Sequence, residues 1–161
     1  MKDKPKDITF HYTNEDMVKD LIKLIPLTAD DIVLDAGSGK NKVWYKNLPE
    51  WTNNYEDELE DGVDFLEEGR YFDWVIGNPP FDIGWKFTEK AISLANKGIA
   101  FLGSIKFFNQ FTSARLEKMK EKGFTLKSIK VLADKRWFGR YYFLIFTKEN
   151  SNFLSWERKT Y

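Results

Sequence analysis

Hydrophobic and polar positions alternate in two ways along the chain. Apolar residues recur at helical spacing in residues 14–25, 85–96 and 113–122, which predicts three amphipathic helices. Short apolar runs, which predict strands, cover residues 31–35, 71–77, 99–105, 126–133 and 141–147. The connection 134–140 is too short for a crossover helix, so the last two strands are predicted to pair antiparallel. The order of elements predicts a three-layer α/β fold with a mostly parallel sheet.

Composition narrows the class of protein. The chain has 161 residues with 25 basic and 25 acidic side chains, no cysteine and a single histidine, His11. These counts exclude disulfides, cysteine nucleophiles and a multi-histidine metal cage, so no metal is expected. No apolar run approaches the roughly 20 residues that span a bilayer, which favours a cytoplasmic protein without a membrane partner. Residues 1–161 are predicted to form one domain.

Aromatic residues are unusually frequent, at 17% of the chain. Such an excess indicates either a heavily packed core or a surface that stacks on flat ligands. The sequence alone leaves both interpretations open.

A glycine-containing turn follows the first predicted strand. It carries Asp35, Gly37 and Gly39, and glycines at this point let the backbone approach a ligand closely. The turn lacks the lysine spacing of a phosphate-binding P-loop and the third glycine of the nicotinamide dinucleotide fingerprint. An Asp here can instead hold a ligand amine. The alternative is an ordinary turn between a strand and a loop.

Acidic residues follow this turn. Glu56, Asp57 and Glu58 are all candidates to hold a ribose diol, a contact that an acid after the second strand of such sheets commonly makes. The alternative is a solvated loop. Further along, Asp64 can accept a hydrogen bond from an exocyclic amine while the ring of Phe65 covers a purine.

The tetrapeptide Asn78-Pro79-Pro80-Phe81 carries the clearest chemistry. The Asn78 amide oxygen can accept a hydrogen bond from an exocyclic amine, and the Pro79 carbonyl offers a second acceptor. The two prolines fix both acceptors, because the pyrrolidine ring locks the backbone. The aromatic ring of Phe81 can stack on a flat substrate.

With the glycine turn before it, this tetrapeptide resembles the catalytic N-P-P-[YFW] motif of S-adenosylmethionine-dependent adenine-N6 methyltransferases. The order of the two motifs resembles the gamma-type arrangement, and the chain looks most similar to compact phage- or virus-type DNA adenine methyltransferases. The resemblance implies a Rossmann-like class I methyltransferase fold, S-adenosylmethionine as cofactor and direct methyl transfer to a flipped-out or unpaired adenine in DNA.

The resemblance also assigns roles to residues of this chain. It implies a catalytic motif formed by Asn78, Pro79, Pro80 and Phe81. It implies cofactor contacts by Thr13, Asp35, Gly37, Gly39, Glu58, Asp64, Phe65 and Asn78. Alignment on Gly62, Asp64 and Phe65 is what places Glu58, rather than Glu56, at the ribose.

Substrate contacts are predicted in two basic and aromatic stretches. Lys42 and Trp44 follow the glycine turn, in a stretch suited to phosphates and exposed bases, with packing of a short helix as the alternative. The connection between the last two strands offers Lys135, Arg136, Trp137, Phe138 and Arg140. Its alternative is a hairpin whose tryptophan tucks under the sheet. Larger DNA methyltransferases of this type carry a separate target-recognition domain, for which this chain has no room. Specificity for a DNA sequence would therefore come from loops or from a dimer, or be weak. The protein is expected to be a monomer or a homodimer.

Three other functions share these motifs. RNA adenine-N6 methyltransferases use the same tetrapeptide, so RNA is a possible partner in place of DNA. Release-factor glutamine methyltransferases use N-P-P-Y, because a glutamine amide poses the same hydrogen-bonding problem. A cofactor-binding module without catalysis is the third alternative.

Overall fold

A computed structural model describes residues 13–133 and 139–149 of the chain. The helices are α1 (Glu15–Ile22), α2 (Val43–Asn47), α3 (Gly84–Leu94), α4 (Ile105–Phe108) and α5 (Ser113–Glu121). The strands are β1 (Ile32–Ala36), β2 (Asn53–Asp57), β3 (Phe72–Gly77), β4 (Ala95–Ser104), β5 (Thr125–Ala133) and β6 (Arg140–Thr147). Short 3₁₀ turns lie at Leu59–Asp61, Phe65–Glu67 and Phe81–Ile83.

The six described strands form one sheet in the order β2-β1-β3-β4-β6-β5. Strands β2, β1, β3 and β4 pair in parallel, and β6 lies antiparallel between β4 and β5. The α/β architecture with an antiparallel last strand is therefore confirmed. Because β1, β2, β3 and β4 point the same way, the segments that follow them meet at one edge of the sheet.

Alternate residues of the central strands pack on opposite faces of the sheet. One face carries Leu34, Val75, Phe101 and Phe146 in a core shared with α3 and α5. The other face carries Val33, Ile76, Leu102 and Phe143 in a core shared with α1 and α2. The two cores give the three layers predicted from the sequence.

Packing accounts for much of the aromatic excess. Seven phenylalanines are almost completely buried: Phe65, Phe72, Phe101, Phe107, Phe124, Phe143 and Phe146. Several of their rings contact another ring, such as Phe101 on Phe107 at 6.3 Å between centroids. The interpretation of the aromatics as core residues is thus the better supported one.

Several element boundaries differ from the predictions. Helix α1 ends at Ile22 rather than at residue 25. Helix α3 ends at Leu94 rather than at residue 96, and β4 begins at Ala95 rather than at residue 99, so Lys97 and Gly98 lie inside the strand. Gly98 is required in the strand because a Cβ there would lie 2.3 Å from the indole of Trp74.

The predicted elements included neither α4 nor the edge strand β2, and α2 was predicted only as the alternative for the stretch that carries Lys42 and Trp44. Strand β2 has the polar sequence Asn-Asn-Tyr-Glu-Asp, which shows no apolar run. None of the helices in the described part of the chain is both long enough and apolar enough to span a membrane.

Candidate active site

A cleft of about 710 Å³ opens at the carboxyl edge of the parallel strands. Its walls come from the segments that follow β1, β2, β3 and β4, together with Thr13 before α1. The predicted residues that line it are Thr13, Gly37, Gly39, Trp44, Glu58, Asp64, Phe65, Asn78, Pro79, Pro80 and Phe81. The structure therefore brings the glycine turn, the acidic segment and the Asn-Pro-Pro-Phe motif together around one space.

The loop after β1 is held by side chains from the end of β2. Gly37 and Gly39 have φ values of 67° and 70°, in the left-handed region that favours glycine. Between them, Ser38 donates from its hydroxyl to Glu56 at 2.7 Å and from its backbone N–H to the Asp57 carbonyl at 2.9 Å. These contacts fix the turn against the neighbouring strand.

Glu58 lies directly after β2 and reaches the same loop. One carboxylate oxygen accepts from the Gly39 N–H and the other from the Glu60 N–H. A carboxylate has about four acceptor sites, so capacity remains for the hydroxyls of a diol. Glu58 lines the cleft, whereas Glu56 is held by Ser38 and Lys42 and is not among the lining residues. This position favours Glu58 over Glu56 as the ribose-binding acid.

Asp35 is placed differently from the prediction that it holds a ligand amine. Its side chain is completely buried and is not among the residues that line the cleft. One oxygen accepts from the Tyr45 N–H at 3.0 Å, and the other has no partner among the described residues. Burial, reinforced by the nearby charges of Glu56, Glu58 and Asp57, raises the pKa of Asp35 to about 8. In this structure Asp35 therefore links the end of β1 to α2.

The segment after β2 also contributes Asp64 and Phe65 to the lining of the cleft. The Asp64 carboxylate caps the following 3₁₀ turn by accepting from the Leu66 N–H at 2.9 Å. Phe65 is only 2% exposed and packs on Phe87 with 4.8 Å between ring centroids, so its ring forms part of the wall rather than a free cover for a purine. The exposed apolar side chains here are Leu59 and Val63, which the sequence analysis did not single out.

Gly77 fixes the direction in which the chain leaves β3. Its φ is 137°, and a Cβ there would lie 2.9 Å from the Ala36 carbonyl oxygen and 3.1 Å from Asp35 Oδ1. Any side chain at this position would push β3 away from β1. The close approach of the two strands places Asn78 at the carboxyl edge of the sheet, where it lines the cleft together with the loop after β1.

The Asn78 amide is anchored on one side only. Its nitrogen donates to the Thr13 hydroxyl at 3.2 Å, while its oxygen is buried and accepts no hydrogen bond from the described residues. Buried polar atoms are rarely left without a partner, and such atoms concentrate at functional sites. The contact from Thr13 orients the amide so that the free acceptor remains beside the cleft.

Phe81 is held by a residue that the sequence analysis did not single out. Gln110, in the loop after α4, donates from Nε2 to the Phe81 carbonyl oxygen and accepts at Oε1 from the Trp85 N–H at 2.9 Å. Arg115 in turn donates to the Gln110 carbonyl at 2.8 Å, and its guanidinium lies 4.8 Å from the Trp85 ring centroid. Because these partners are distant in sequence, no local motif could have revealed the network.

The two residues predicted to contact substrate after the glycine turn both have partners within the protein. The Lys42 ammonium is partly exposed and pairs with Glu56 at 2.6 Å and Asp61 at 2.8 Å, so its charge is already neutralised. Trp44 is 3% exposed and stacks on Phe143 with 5.7 Å between centroids. Trp44 is therefore a core residue, as the alternative interpretation of this stretch held.

The second predicted substrate surface is only partly described. Arg140 is exposed at the start of β6, at the same edge of the sheet as the cleft, but it does not line the cleft. Lys135, Arg136, Trp137 and Phe138 lie outside the described residues.

The cleft therefore has two chemically different sides. One side offers a carboxylate, open space beside Gly39 and apolar side chains, which together suit a diol, a close backbone approach and a flat ring. The other side offers a neutral, fixed acceptor at Asn78. In the described residues, no group of three acidic, histidine or cysteine side chains is arranged to hold a metal ion.

Comparison with solved structures defines the fold class. Magnesium protoporphyrin IX methyltransferase from Synechocystis PCC 6803, with bound SAH, superposes with a TM-score of 0.62 at 12% identity, covering 84% of this chain and 83% of that one. The 23S rRNA methyltransferase ErmE gives 0.62 at 15% identity, covering 89% and 71%. A dimethyladenosine transferase from Plasmodium falciparum gives 0.63 at 14% identity, covering 84% and 62%.

The chain thus has the Rossmann-like fold of the class I S-adenosylmethionine-dependent methyltransferases. No protein-family model and no curated protein sequence matches the chain.

Proposed function

We propose that this protein is an S-adenosylmethionine-dependent methyltransferase that methylates the exocyclic N6 of adenine in DNA, on a base that is flipped out or unpaired. The observation that carries the proposal is the Asn78 side-chain oxygen, buried beside the cleft without a partner among the described residues. Its position after Gly77 and its neighbours Pro79, Pro80 and Phe81 give it the surroundings that recognition of an aromatic amine needs.

The cofactor side of the cleft fits S-adenosylmethionine. Glu58 is positioned to accept hydrogen bonds from the ribose hydroxyls, and Leu59 and Val63 offer apolar surface for the adenine ring. Glu58 and Glu60 make this wall acidic, which favours a ligand that carries positive charge. When bound, the cofactor supplies a methyl group on a positively charged sulfur.

Asn78 and Pro79 are proposed to activate the target nitrogen. The lone pair of an adenine amine is delocalised into the ring, which makes it a weak nucleophile. Hydrogen bonds from the amine to Asn78 Oδ1 and to the Pro79 carbonyl draw the nitrogen toward tetrahedral geometry and stabilise the positive charge that develops on it. The bound cofactor would supply the methyl carbon to this nitrogen and would keep the electron pair of the broken C–S bond on its sulfur.

Phe81 and the two prolines are proposed to position the base. The ring of Phe81 stacks on the adenine so that nitrogen, methyl carbon and sulfur lie in line, and positioning of two reactants can contribute about 7–11 kcal/mol to lowering a barrier. The methylated nitrogen then loses its extra proton to solvent, so no general base is needed. In duplex DNA the base must first leave the stack, which costs a few kcal/mol.

Methyl transfer from labelled cofactor to duplex DNA, single-stranded DNA and RNA tests the proposal. Digestion to nucleosides and mass analysis are expected to give N6-methyladenine from DNA. Asn78→Ala is expected to reduce the rate by about 10²–10³-fold, because it removes the acceptor made for the transition state. Asn78→Asp keeps an acceptor oxygen and is expected to retain more activity than the alanine variant.

The possible outcomes separate the alternatives. RNA remains the second candidate substrate, because the hydrogen bonds proposed here act on the base and do not distinguish the two sugars. Methylation of RNA alone would show that the substrate is RNA rather than DNA, while the proposed mechanism of methyl transfer would stand. Cofactor binding without labelled nucleic acid would contradict the proposal and would favour glutamine methylation or a non-catalytic module.

A further inference from the structure

Lysines on the two sides of the cleft are in different electrostatic states. Lys40 on the cofactor side pairs with Glu60 at 3.2 Å, and Lys42 nearby pairs with two carboxylates. Lys106 lines the cleft on the other side, in α4, and is exposed. Among residues 13–133 and 139–149, no carboxylate pairs with its ammonium. Within the described part of the chain, Lys106 is thus the lysine of the cleft whose charge is not paired with a carboxylate and can attract an anionic ligand.

The position of Lys106 relative to the catalytic motif is fixed by hydrogen bonds. Strands β3 and β4 are neighbours in the sheet, so the segments after them lie side by side. The Nε2 atom of Gln110 donates both to the Phe81 carbonyl oxygen and to the Lys106 carbonyl oxygen. A single nitrogen therefore ties the backbone of Lys106 to the backbone of the motif.

The charge of Lys106 does not suit the cofactor. A cationic sulfonium ligand is repelled by an ammonium group and favoured by the acidic wall opposite. A phosphodiester, by contrast, attracts a lysine on a flexible four-carbon stem, which acts as a point charge. A base seated at Asn78 brings its own backbone phosphates to the rim of the cleft.

We infer that Lys106 binds a backbone phosphate of DNA next to the target adenine, a role that rests on the function proposed above. Lys106 then contributes to substrate affinity and not to the chemistry of transfer. Its contact carries no sequence information, because phosphate contacts position a nucleic acid without reading its bases.

The salt dependence of DNA binding tests this inference. Binding of the full-length protein to a DNA oligonucleotide is measured between low and moderate salt for the wild type, Lys106→Gln and Lys106→Arg. Each phosphate contact contributes about 0.7–0.9 to the slope of log K against log salt. Lys106→Gln is expected to lower the slope by about that amount and to weaken binding about three- to tenfold at low salt, whatever the sequence. Lys106→Arg is expected to keep the slope.

Two controls make the result specific. Lys122→Gln removes the same charge from an exposed lysine at the end of α5, which lies by the start of β5 at the opposite edge of the sheet, and is expected to leave the slope unchanged. Kinetics are expected to show a higher KM for DNA with little change in kcat, together with unchanged affinity for the cofactor.

A slope that stays at the wild-type value in Lys106→Gln, while the wild type methylates DNA, would overturn this inference alone. A wild-type protein that neither binds nor methylates nucleic acid would overturn the proposed function and this inference with it. A slope change that appears with RNA and not with DNA would overturn the assignment to DNA.

Discussion

The loops that follow β1 and β3 face each other across the cleft, and they are held in place by different forces. Carboxylates hold the loop after β1, through contacts from Glu58 to Gly39 and from Glu56 to Ser38 and Lys42. Neutral groups hold the loop after β3, through the amide of Gln110 and the hydroxyl of Thr13. The first loop is therefore sensitive to changes of charge, and the second to changes of shape.

The difference matches the chemistry proposed for each side. A cationic cofactor is attracted by an acidic wall, so carboxylates that hold the first loop also serve binding. An acceptor for a neutral amine works best with a fixed direction and no competing charge, which the Asn78 amide held by the Thr13 hydroxyl provides. Changes on the first side are thus expected to alter cofactor affinity, and changes on the second side to alter kcat.

The largest effect in this comparison is expected from Gln110. Gln110→Leu removes the bonds to both the Phe81 carbonyl and the Trp85 N–H. Because a misplacement of about 1 Å can cost 10²-fold in rate, kcat is expected to fall about 10- to 100-fold. Cofactor affinity, measured by calorimetry, is expected to stay within about twofold of the wild type.

Gln110→Glu separates the bond that this positioning residue accepts from the bonds that it donates. A glutamate oxygen still accepts from the Trp85 N–H but cannot donate to the carbonyl oxygens of Phe81 and Lys106. A kcat as low as that of the leucine variant would show that the donated bonds are the ones that matter. Equal losses of kcat and cofactor affinity would contradict the separation of the two loops.

Sequence patterns predicted the interior of the sheet better than its edge. Strands β3 and β4 are buried on both faces, and such strands read as continuous apolar runs. Strand β2 lies at the edge, where its polar sequence carries no such signal. The end of α3 was misjudged because Gly98 looks like a helix stop, whereas it is a glycine that makes room for Trp74.

The site could be predicted where its residues are contiguous. Asn78 to Phe81 form a single tetrapeptide whose hydrogen-bonding groups can be inferred from the sequence, and the structure places these residues in the cleft. Gln110 and Lys106 could not be found in this way, since their relation to the motif depends on the pairing of β3 with β4. The burial of Trp44 could not be predicted either, because the sequence of a basic and aromatic stretch does not show which of its side chains pack in the core.

A smaller effect, on the cofactor side, is expected from the two glutamates near β2. Glu58→Ala is expected to weaken cofactor binding about tenfold or more, because hydrogen bonds to a charged group contribute about 1.5–3 kcal/mol. Glu56→Ala is expected to weaken it less, because Glu56 contacts Ser38 and Lys42 and does not line the cleft. Calorimetric titration with the cofactor measures both. Equal losses would reject the assignment of the ribose to Glu58.

The smallest effect on activity is expected from Asp35, whose influence falls on stability. Burial raises the pKa of Asp35 to about 8, so the folded protein holds a proton that the unfolded chain releases near pH 4. The contribution of Asp35 to stability is therefore full at or below the unfolded pKa and declines as the pH rises toward 8. The decline from this group is at most about 1.4 kcal/mol per pH unit.

Comparison with Asp35→Asn isolates that contribution. An asparagine can keep an acceptor for the Tyr45 N–H without titrating, so the variant is expected to lose less stability between pH 5 and 8 than the wild type. Denaturant unfolding at several pH values measures the difference, in which the titration of other groups cancels. Parallel pH profiles would contradict the assignment of the proton to Asp35.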